Sequence, residues 1–171
     1  YPFGEFFIPT ATLRPETIFG VTNLWANPEV TYLKAEVDGE KWIISREAAE
    51  KLRMQKHTVT EIGTISGTEL VDKSATHPIS GAAVPILPAS FVDPDMGSGL
   101  VMSVPAHAPF DYIALRDLQQ QGKYTEIVPI PLVTVPNFGK IPAQEIVEKN
   151  KIPHQDDPRM DELTQELYTA E

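Results

Sequence analysis

The chain has 171 residues, of which 42% are hydrophobic and none is cysteine. This composition predicts one domain with a substantial core, and it excludes disulfide bonds, thiolate nucleophiles and cysteine-bound zinc. The formal net charge of -10 argues against a general nucleic-acid-coating surface, because such a surface needs clustered lysines and arginines.

The acidic residues are unevenly distributed along the chain. Residues 143–171 hold eight acidic and three basic side chains, so the rest of the chain is only mildly acidic and leaves room for a local RNA contact. No apolar run of about 18 residues is present, and no basic and apolar leader opens the sequence. We therefore expect neither a membrane span nor a secretion signal. The lack of cysteine fits a cytoplasmic protein.

Short extended segments are predicted for much of the chain. Asp38-Gly39 is typical of a tight turn between the two strands of a hairpin. Arg14-Pro15 marks another turn, and the single helical turn predicted after it ends at Gly20. The predicted strands are residues 6–12, 30–37, 41–44, 58–65, 84–87 and 100–104.

Capping residues delimit the predicted helices. Ser45 is a favourable N-cap, and Pro109 and Gly122 bracket the most central helix. Asp157 followed by Pro158 is typical of an N-cap and a first helical position. The predicted helices are residues 46–54, 110–121, 143–149 and 158–170, while 77–83 is turn-rich and 127–135 is an extended stretch with prolines.

These short elements predict an α+β fold, namely a compact barrel-like mixed sheet with peripheral helices. We find no internal repeat and no low-complexity tract. We expect residues 1–171 to form a single domain. Within it, residues 143–171 would be an acidic helical C-terminal extension that packs on the rest of the domain or projects from it.

Asp111 lies in the first turn of the predicted central helix, and two interpretations of it remain open. Its carboxylate is favoured there by the helix dipole alone. Alternatively, it anchors a ligand cation through a charge-assisted hydrogen bond worth about 1.5–3 kcal/mol. Beside the apolar side chains of Val101, Met102 and Val104, such an anchor favours an amino acid whose own carboxyl group is esterified.

His107 precedes Asp111 by four residues, a spacing that would allow a shared metal only on a regular helix. Pro109 disfavours that helix, and no third ligand lies nearby in the sequence, so we expect no metal site. A triad with Ser103 is also disfavoured, since nothing resembles the strained turn that exposes a nucleophile. We expect His107 to hydrogen-bond the backbone or the sugar of a ligand.

The glycine turn at residues 97–99 fits either an ordinary turn or a close approach of the backbone to a ligand. Thr12 and Thr17 are individually compatible with strands and caps. Together they could line a polar cleft whose hydroxyls hold a water or a sugar, while Arg14 meets a phosphate.

Two runs of sequence occur together, in this order: residues 11–25 read ATLRPETIFGVTNLW, and residues 97–111 read GSGLVMSVPAHAPFD. The first resembles the threonine-rich motif, and the second the other editing motif, of the editing domain of leucyl-tRNA synthetases. Residues 23–25 (NLW) in the first run and residues 114–118 (ALRDL), just after the second, look most like the archaeal and eukaryotic cytosolic branch. Isoleucyl- and valyl-tRNA synthetases share the architecture and are the nearest alternatives. The signatures of ATP-driven aminoacylation are missing, so the resemblance is to the inserted editing domain alone.

The resemblance implies hydrolysis of the ester that joins a noncognate amino acid, such as isoleucine or norvaline, to tRNA(Leu). It implies that Asp111 holds the substrate ammonium, that Thr17 narrows the pocket against leucine, and that Thr12 positions water and ribose. Leu13 stands where the bacterial motif usually has a second threonine. The implied substrate-binding residues are Arg14 at the RNA end, Leu13, Gly99, Met102, Ser103, Val104 and His107.

The resemblance also implies the partners and the absence of a cofactor. Editing would need no metal or cofactor, since ATP and magnesium serve the synthetase body, which this chain lacks. The expected partners are the aminoacylated 3′ end of tRNA(Leu) and the remainder of the parent synthetase, and the chain itself is expected to be a monomer. The alternative from another class is a non-catalytic module that binds an amino acid or a protein, which does not account for the two motifs occurring together.

Overall fold

The structure, a computed structural model, describes residues 1–170 and divides the chain into two compact units. The first unit contains Tyr1–Leu13 and Asn23–Met102. The second contains Arg14–Thr22 and the chain from Ser103 onward. Each unit is therefore built from two stretches that are separate in sequence.

The strands of the described residues form two sheets, of five and four strands. Most of the strands are short, as the many turn residues predict. In chain order the strands are β1 (Pro2–Phe3), β2 (Phe6–Phe7), β3 (Asn23–Ala26), β4 (Thr31–Val37), β5 (Glu40–Ile44), β6 (Val59–Ser66), β7 (Ser74–Thr76), β8 (Ala83–Pro88) and β9 (Val101–Ser103).

The five-stranded sheet has the order β1, β2, β5, β4, β6. The predicted hairpin at Asp38-Gly39 joins β4 to β5, which pair antiparallel from Leu33 opposite Ile44 to Val37 opposite Glu40. β6 pairs antiparallel with the other edge of β4, and β2 pairs parallel with β5. The predicted strand at residues 6–12 is wrong in length, because only its first two residues belong to a strand.

The four-stranded sheet has the order β7, β8, β3, β9. β3 runs parallel to β8, with Leu24 opposite Ile86 and Trp25 opposite Leu87. The sequence did not predict β3, because its four residues are all buried and therefore show no alternation of polar and apolar side chains.

The predicted α+β class with mixed sheets is confirmed, but the barrel-like shape is not. Both sheets combine parallel and antiparallel pairs, with helices placed between and after the strands. Each strand order has two free ends, so the sheets formed within residues 1–170 are open rather than closed into a barrel.

The predicted helices are found with small changes at their ends. Ser45 caps α1 as predicted, its hydroxyl accepting from the backbone N–H of Ala48 at 3.0 Å. The last helix begins at Met160, two residues after the predicted start. The helices are a 3-10 helix (Pro15–Gly20), α1 (Arg46–Met54), α2 (Gly67–Leu70), α3 (Pro109–Gln120), α4 (Pro142–Lys149) and α5 (Met160–Ala170).

Each unit has its own hydrophobic cluster. In the first unit β4, β5 and α1 pack together through Leu33, Ala35, Val37, Ile44, Ala48 and Ala49. In the second unit α3, α4 and α5 pack together through residues that include Ile113, Ile146, Val147, Met160, Leu163 and Leu167.

The acidic C-terminal segment packs within the second unit, since the apolar face of α5 is buried in this second cluster. Glu171, the last acidic residue of the predicted extension, lies outside the described residues. None of the helices in the described part of the chain is long and apolar enough to cross a membrane. The prediction of a single domain over the whole chain stays a prediction.

Candidate functional site

Asp111 is held in place by the backbone of its own unit. α3 begins at Pro109, so Asp111 lies in its first turn, where it is only 5% exposed. Its Oδ2 atom accepts a hydrogen bond from the backbone N–H of Val104 at 2.7 Å. A buried carboxylate is costly unless it is hydrogen-bonded, and this N–H together with the helix N-terminus stabilises the charge and orients it.

His107 is also buried, at 2% exposure, and it binds the backbone rather than standing open to solvent. The N–H of Leu132 donates to its Nε2 atom at 2.9 Å. Since Nε2 accepts a hydrogen bond, the hydrogen-bond geometry assigns the ring as the neutral tautomer with its proton on Nδ1. Of the two expectations for His107, a backbone contact is therefore observed.

Thr17 lies within the 3-10 helix and is buried. Its hydroxyl donates to the carbonyl oxygen of Arg14 at 2.6 Å. This bond uses the hydroxyl's only proton and fixes the rotamer, so the position of the methyl group is fixed as well. Thr17 thus presents a fixed shape, as a residue that limits the size of a pocket must.

Arg14 interacts with two side chains of the second unit. Its guanidinium carbon lies 5.6 Å from the centroid of the Tyr168 ring, and its Nε atom lies 3.5 Å from the carboxylate of Glu16. The predicted contact of Arg14 with the RNA end would have to share or replace these interactions.

Ser103 does not form a catalytic pair with His107. The Ser103 Oγ atom is buried and has no hydrogen-bond partner among the described residues. The backbone carbonyl of Ser103 accepts from the N–H of Thr22 at 3.1 Å, which ties the second motif to the end of the first. Within residues 1–170 no group of three or more potential metal ligands is found.

Gly99 is required for packing inside the first unit. Its φ angle is +79°, and a Cβ atom placed on it would lie 2.5 Å from the Cβ of Ser45. The N–H of Ser45 also donates to the carbonyl of Ser98 at 2.8 Å. The close approach observed at this glycine is to Ser45, the residue that caps α1, and the expected approach to a ligand stays a prediction.

The remaining predicted site residues of the first unit differ in burial. Leu13 is fully exposed and Thr12 is exposed, whereas Met102 is buried. The Tyr1 hydroxyl donates to the Met102 sulfur at 3.7 Å, and burial raises the pKa of Tyr1 to about 12. Met102 is therefore buried against Tyr1, and its role as an apolar wall of a substrate pocket stays a prediction.

A cavity of about 340 Å³ opens in the first unit beside the first residues of both motifs. Its size is that of a small-ligand pocket. Its apolar wall is formed by Trp42, Ile44, Ala48 and Leu52, and it is bordered by Thr10, Ala11, Gly97 and Ser98.

The predicted site residues are distributed over both units, and the contacts described above lie within one unit each. Thr12, Leu13, Gly99 and Met102 belong to the first unit. Arg14, Thr17, Ser103, Val104, His107 and Asp111 belong to the second.

Comparison with known proteins decides the family. A family profile described as "Leucyl-tRNA synthetase, editing domain" matches residues 7–151. The chain belongs to the leucyl-tRNA synthetase editing-domain family. The predicted family is therefore confirmed, and the matched range contains both motifs, the 3-10 helix and α3.

Two similar curated relatives of this editing domain are archaeal, in keeping with the predicted branch. The leucine–tRNA ligase of Methanocaldococcus jannaschii is 49% identical over 178 residues, covering 96% of this chain and 19% of that protein. The leucine–tRNA ligase of Methanothrix thermoacetophila is 49% identical over 172 residues, covering 96% of this chain and 18% of that protein. The chain thus spans about a fifth of the length of these relatives.

Solved editing domains have the same fold. A crystal structure described as GlLeuRS-CP1 is 28% identical, with a TM-score of 0.83 over 98% of this chain and 71% of that one. The editing domain of the P. falciparum cytosolic leucyl-tRNA synthetase has a TM-score of 0.84 at 19% identity, over 95% of this chain and 66% of that one.

Sequence reasoning missed four residues that contact the predicted site residues or the 3-10 helix that carries Thr17. Ser45 packs against Gly99, Leu132 binds His107, Tyr168 lies beneath Arg14, and Gly20 contacts Leu132. Gly20 follows Thr17 closely and was predicted only as a helix end. Ser45 was predicted only as a helix N-cap. Leu132 and Tyr168 carry no local signal, because their partners are distant in sequence.

Proposed function

We propose that this chain hydrolyses the ester bond between a noncognate amino acid, such as isoleucine or norvaline, and the terminal adenosine of tRNA(Leu). Membership of the editing-domain family supports this function. The single structural observation that carries it is Asp111, a buried carboxylate oriented by the N–H of Val104. Such a group suits the α-ammonium of an amino acid whose carboxyl group is esterified.

The physical need for this reaction is the small difference between aliphatic side chains. One methylene is worth only about 1–3 kcal/mol in a hydrophobic pocket, which limits how well a leucine site can reject norvaline, a side chain one carbon smaller. Isoleucine, with the same number of carbons, is a near-isostere that is no easier to reject. A second site that admits smaller or differently branched side chains and rejects leucine multiplies the discrimination. In the proposal Thr17 provides that rejection, since its fixed methyl group limits the pocket.

The proposed reaction is a water-mediated ester hydrolysis. A water adds to the ester carbonyl, the bond from that carbon to the ribose oxygen breaks, and the ribose oxygen takes up a proton. The products are the free amino acid and uncharged tRNA. The site's task is to hold the ammonium and place the water, with Asp111 in the first role and Thr12 in the second.

The same proposal assigns the roles of the other site residues and the partners. Met102 and Val104 provide apolar contacts to the side chain, and Arg14 meets a phosphate of the RNA end. No cofactor is needed, and the partners are the 3′ end of tRNA(Leu) and the rest of the parent synthetase. A monomeric state and a cytoplasmic location remain part of the proposal.

Deacylation of isoleucyl-tRNA(Leu) by the purified chain tests the proposal, alongside calorimetric binding of a non-hydrolysable aminoacyl-adenosine analogue. We expect the ester to be cleaved and the analogue to bind, and both to be lost in Asp111→Ala. Binding of the analogue without any ester cleavage would favour the non-catalytic binding module. If the chain neither binds nor cleaves, both functions are rejected.

A further inference from the structure

We infer that His107 is a positioning residue for amino-acid discrimination: it holds residues 127–135, termed the strap, against the 3-10 helix that carries Thr17. The inference rests on the proposed function, because it assumes that Thr17 limits the pocket. It assigns His107 an indirect role in place of the predicted direct contact with substrate.

The end of the strap is anchored by Val135, which is buried in the cluster of the second unit. The part before Val135 depends on a few polar contacts with its surroundings. It contains Pro129 and Pro131, which lack an N–H, and it forms no helix or strand in the described residues. The Gln119 side chain donates to the carbonyl of Ile127 at 2.8 Å near its start. His107 accepts from the N–H of Leu132 near its middle. Between these points Val128 and Ile130 are exposed, so they contribute little burial.

The strap in turn contacts the end of the 3-10 helix. A Cβ atom placed on Gly20 would lie 2.9 Å from Leu132 Cδ1 and 3.2 Å from the carbonyl oxygen of Ile130. Gly20 has no positive φ, so the glycine is needed here for space rather than for backbone conformation. The Leu132 side chain therefore packs directly on the backbone of the last residue of this helix.

The two contacts form a continuous connection from His107 to Thr17. His107 holds the backbone of Leu132, the side chain of Leu132 covers Gly20, and Gly20 ends the same six-residue helix that contains Thr17. A helix this short has few hydrogen bonds of its own, so its position depends on what packs against it. Losing the bond at His107 leaves the Leu132 N–H without its partner and loosens the cover over Gly20.

The test compares His107→Leu with His107→Gln in the 171-residue chain. The leucine variant retains bulk but has no acceptor, whereas the glutamine Oε1 atom can accept from the N–H of Leu132 in place of Nε2. The control is His154→Leu, at an exposed histidine. The readouts are the ratio of isoleucyl- to leucyl-tRNA(Leu) hydrolysis and the hydrogen-exchange rate of the Leu132 amide.

We expect His107→Leu to lower the discrimination ratio and raise the exchange rate, each by about tenfold, from the loss of one buried hydrogen bond. His107→Gln should restore both to within about threefold of the wild type. A histidine that only supports folding would lower both hydrolysis rates together and leave their ratio unchanged.

Two outcomes overturn the inference: an unchanged ratio in a folded His107→Leu, or a glutamine variant that behaves as the leucine variant does. If His107→Leu does not fold, Gly20→Ala provides the same test, because it displaces Leu132 and leaves His107 intact. If the wild-type chain hydrolyses neither ester, the proposed function fails. The exchange rate of the Leu132 amide then still decides whether His107 holds the strap.

Discussion

The guanidinium of Arg14 lies 5.6 Å from the centroid of the Tyr168 ring, which joins the residue before the 3-10 helix to α5. A cation above the face of an aromatic ring is attracted by the ring's electron distribution. The acidic C-terminal helix therefore supplies the aromatic ring that contacts the one arginine of the threonine-rich motif.

Replacing Tyr168 tests the strength of this contact. Because Tyr168 is 45% exposed, we expect Tyr168→Ala to lower the free energy of unfolding by about 0.5–1 kcal/mol. Tyr168→Phe retains the ring and should stay within about 0.3 kcal/mol of the wild type. Urea unfolding of both variants, combined with Arg14→Ala in a double-mutant cycle, measures the coupling. A coupling energy of zero would show that the two side chains do not stabilise each other.

Asp111→Asn separates charge from hydrogen bonding at the proposed ammonium site. The amide oxygen still accepts from the N–H of Val104, so the fold should be retained, but the negative charge is lost. We expect deacylation of isoleucyl-tRNA(Leu) to fall about 10- to 100-fold. The matched control is Asp161→Asn, at an exposed acid in the first turn of α5, which should leave the rate unchanged. Wild-type turnover by Asp111→Asn would contradict the charged anchor.

Two substitutions of Thr17 distinguish its methyl group from its hydroxyl. Thr17→Ala removes both groups, and we expect it to raise hydrolysis of leucyl-tRNA(Leu) at least about tenfold, since the pocket gains the volume that excludes leucine. Thr17→Val keeps the volume but loses the hydrogen bond to Arg14, and it should still protect the leucyl ester. If the leucyl ester stays protected in an otherwise active Thr17→Ala, Thr17 does not limit the pocket.

We expect Gly99→Ala to destabilise the protein for two reasons, namely a strained backbone conformation and a clash of the new Cβ atom. The positive φ alone costs a non-glycine residue about 1–2 kcal/mol. The clash with Ser45 adds about 1–3 kcal/mol, because Ser45 is a buried cap that cannot move freely.

Gly122→Ala is the matched control for this prediction. Gly122 has nearly the same φ, +78°, but a Cβ atom there would have nothing within 4 Å. The difference between the two variants in urea unfolding therefore isolates the packing contribution. Equal losses would show that the approach of Gly99 to Ser45 does not matter.

The sequence by itself determined the elements whose causes are local. The hydroxyl of Ser45 and the helix-forming residues after it predict α1 with its observed ends, because a cap acts on N–H groups two or three residues away. The hairpin at Asp38-Gly39 was also predicted from local sequence, because the two turn residues set its geometry. The two motifs were sufficient to identify the family, since they are contiguous runs of residues.

Only the tertiary structure showed which distant residues hold the two motifs in place. β3 gave no periodic signal because it is buried along its whole length, and its partner β8 is distant in the sequence. The bond from Leu132 to His107 and the ring of Tyr168 beneath Arg14 likewise join residues that no local pattern relates. Such contacts depend on where the helices pack, and packing depends on the whole apolar surface rather than on neighbours in sequence.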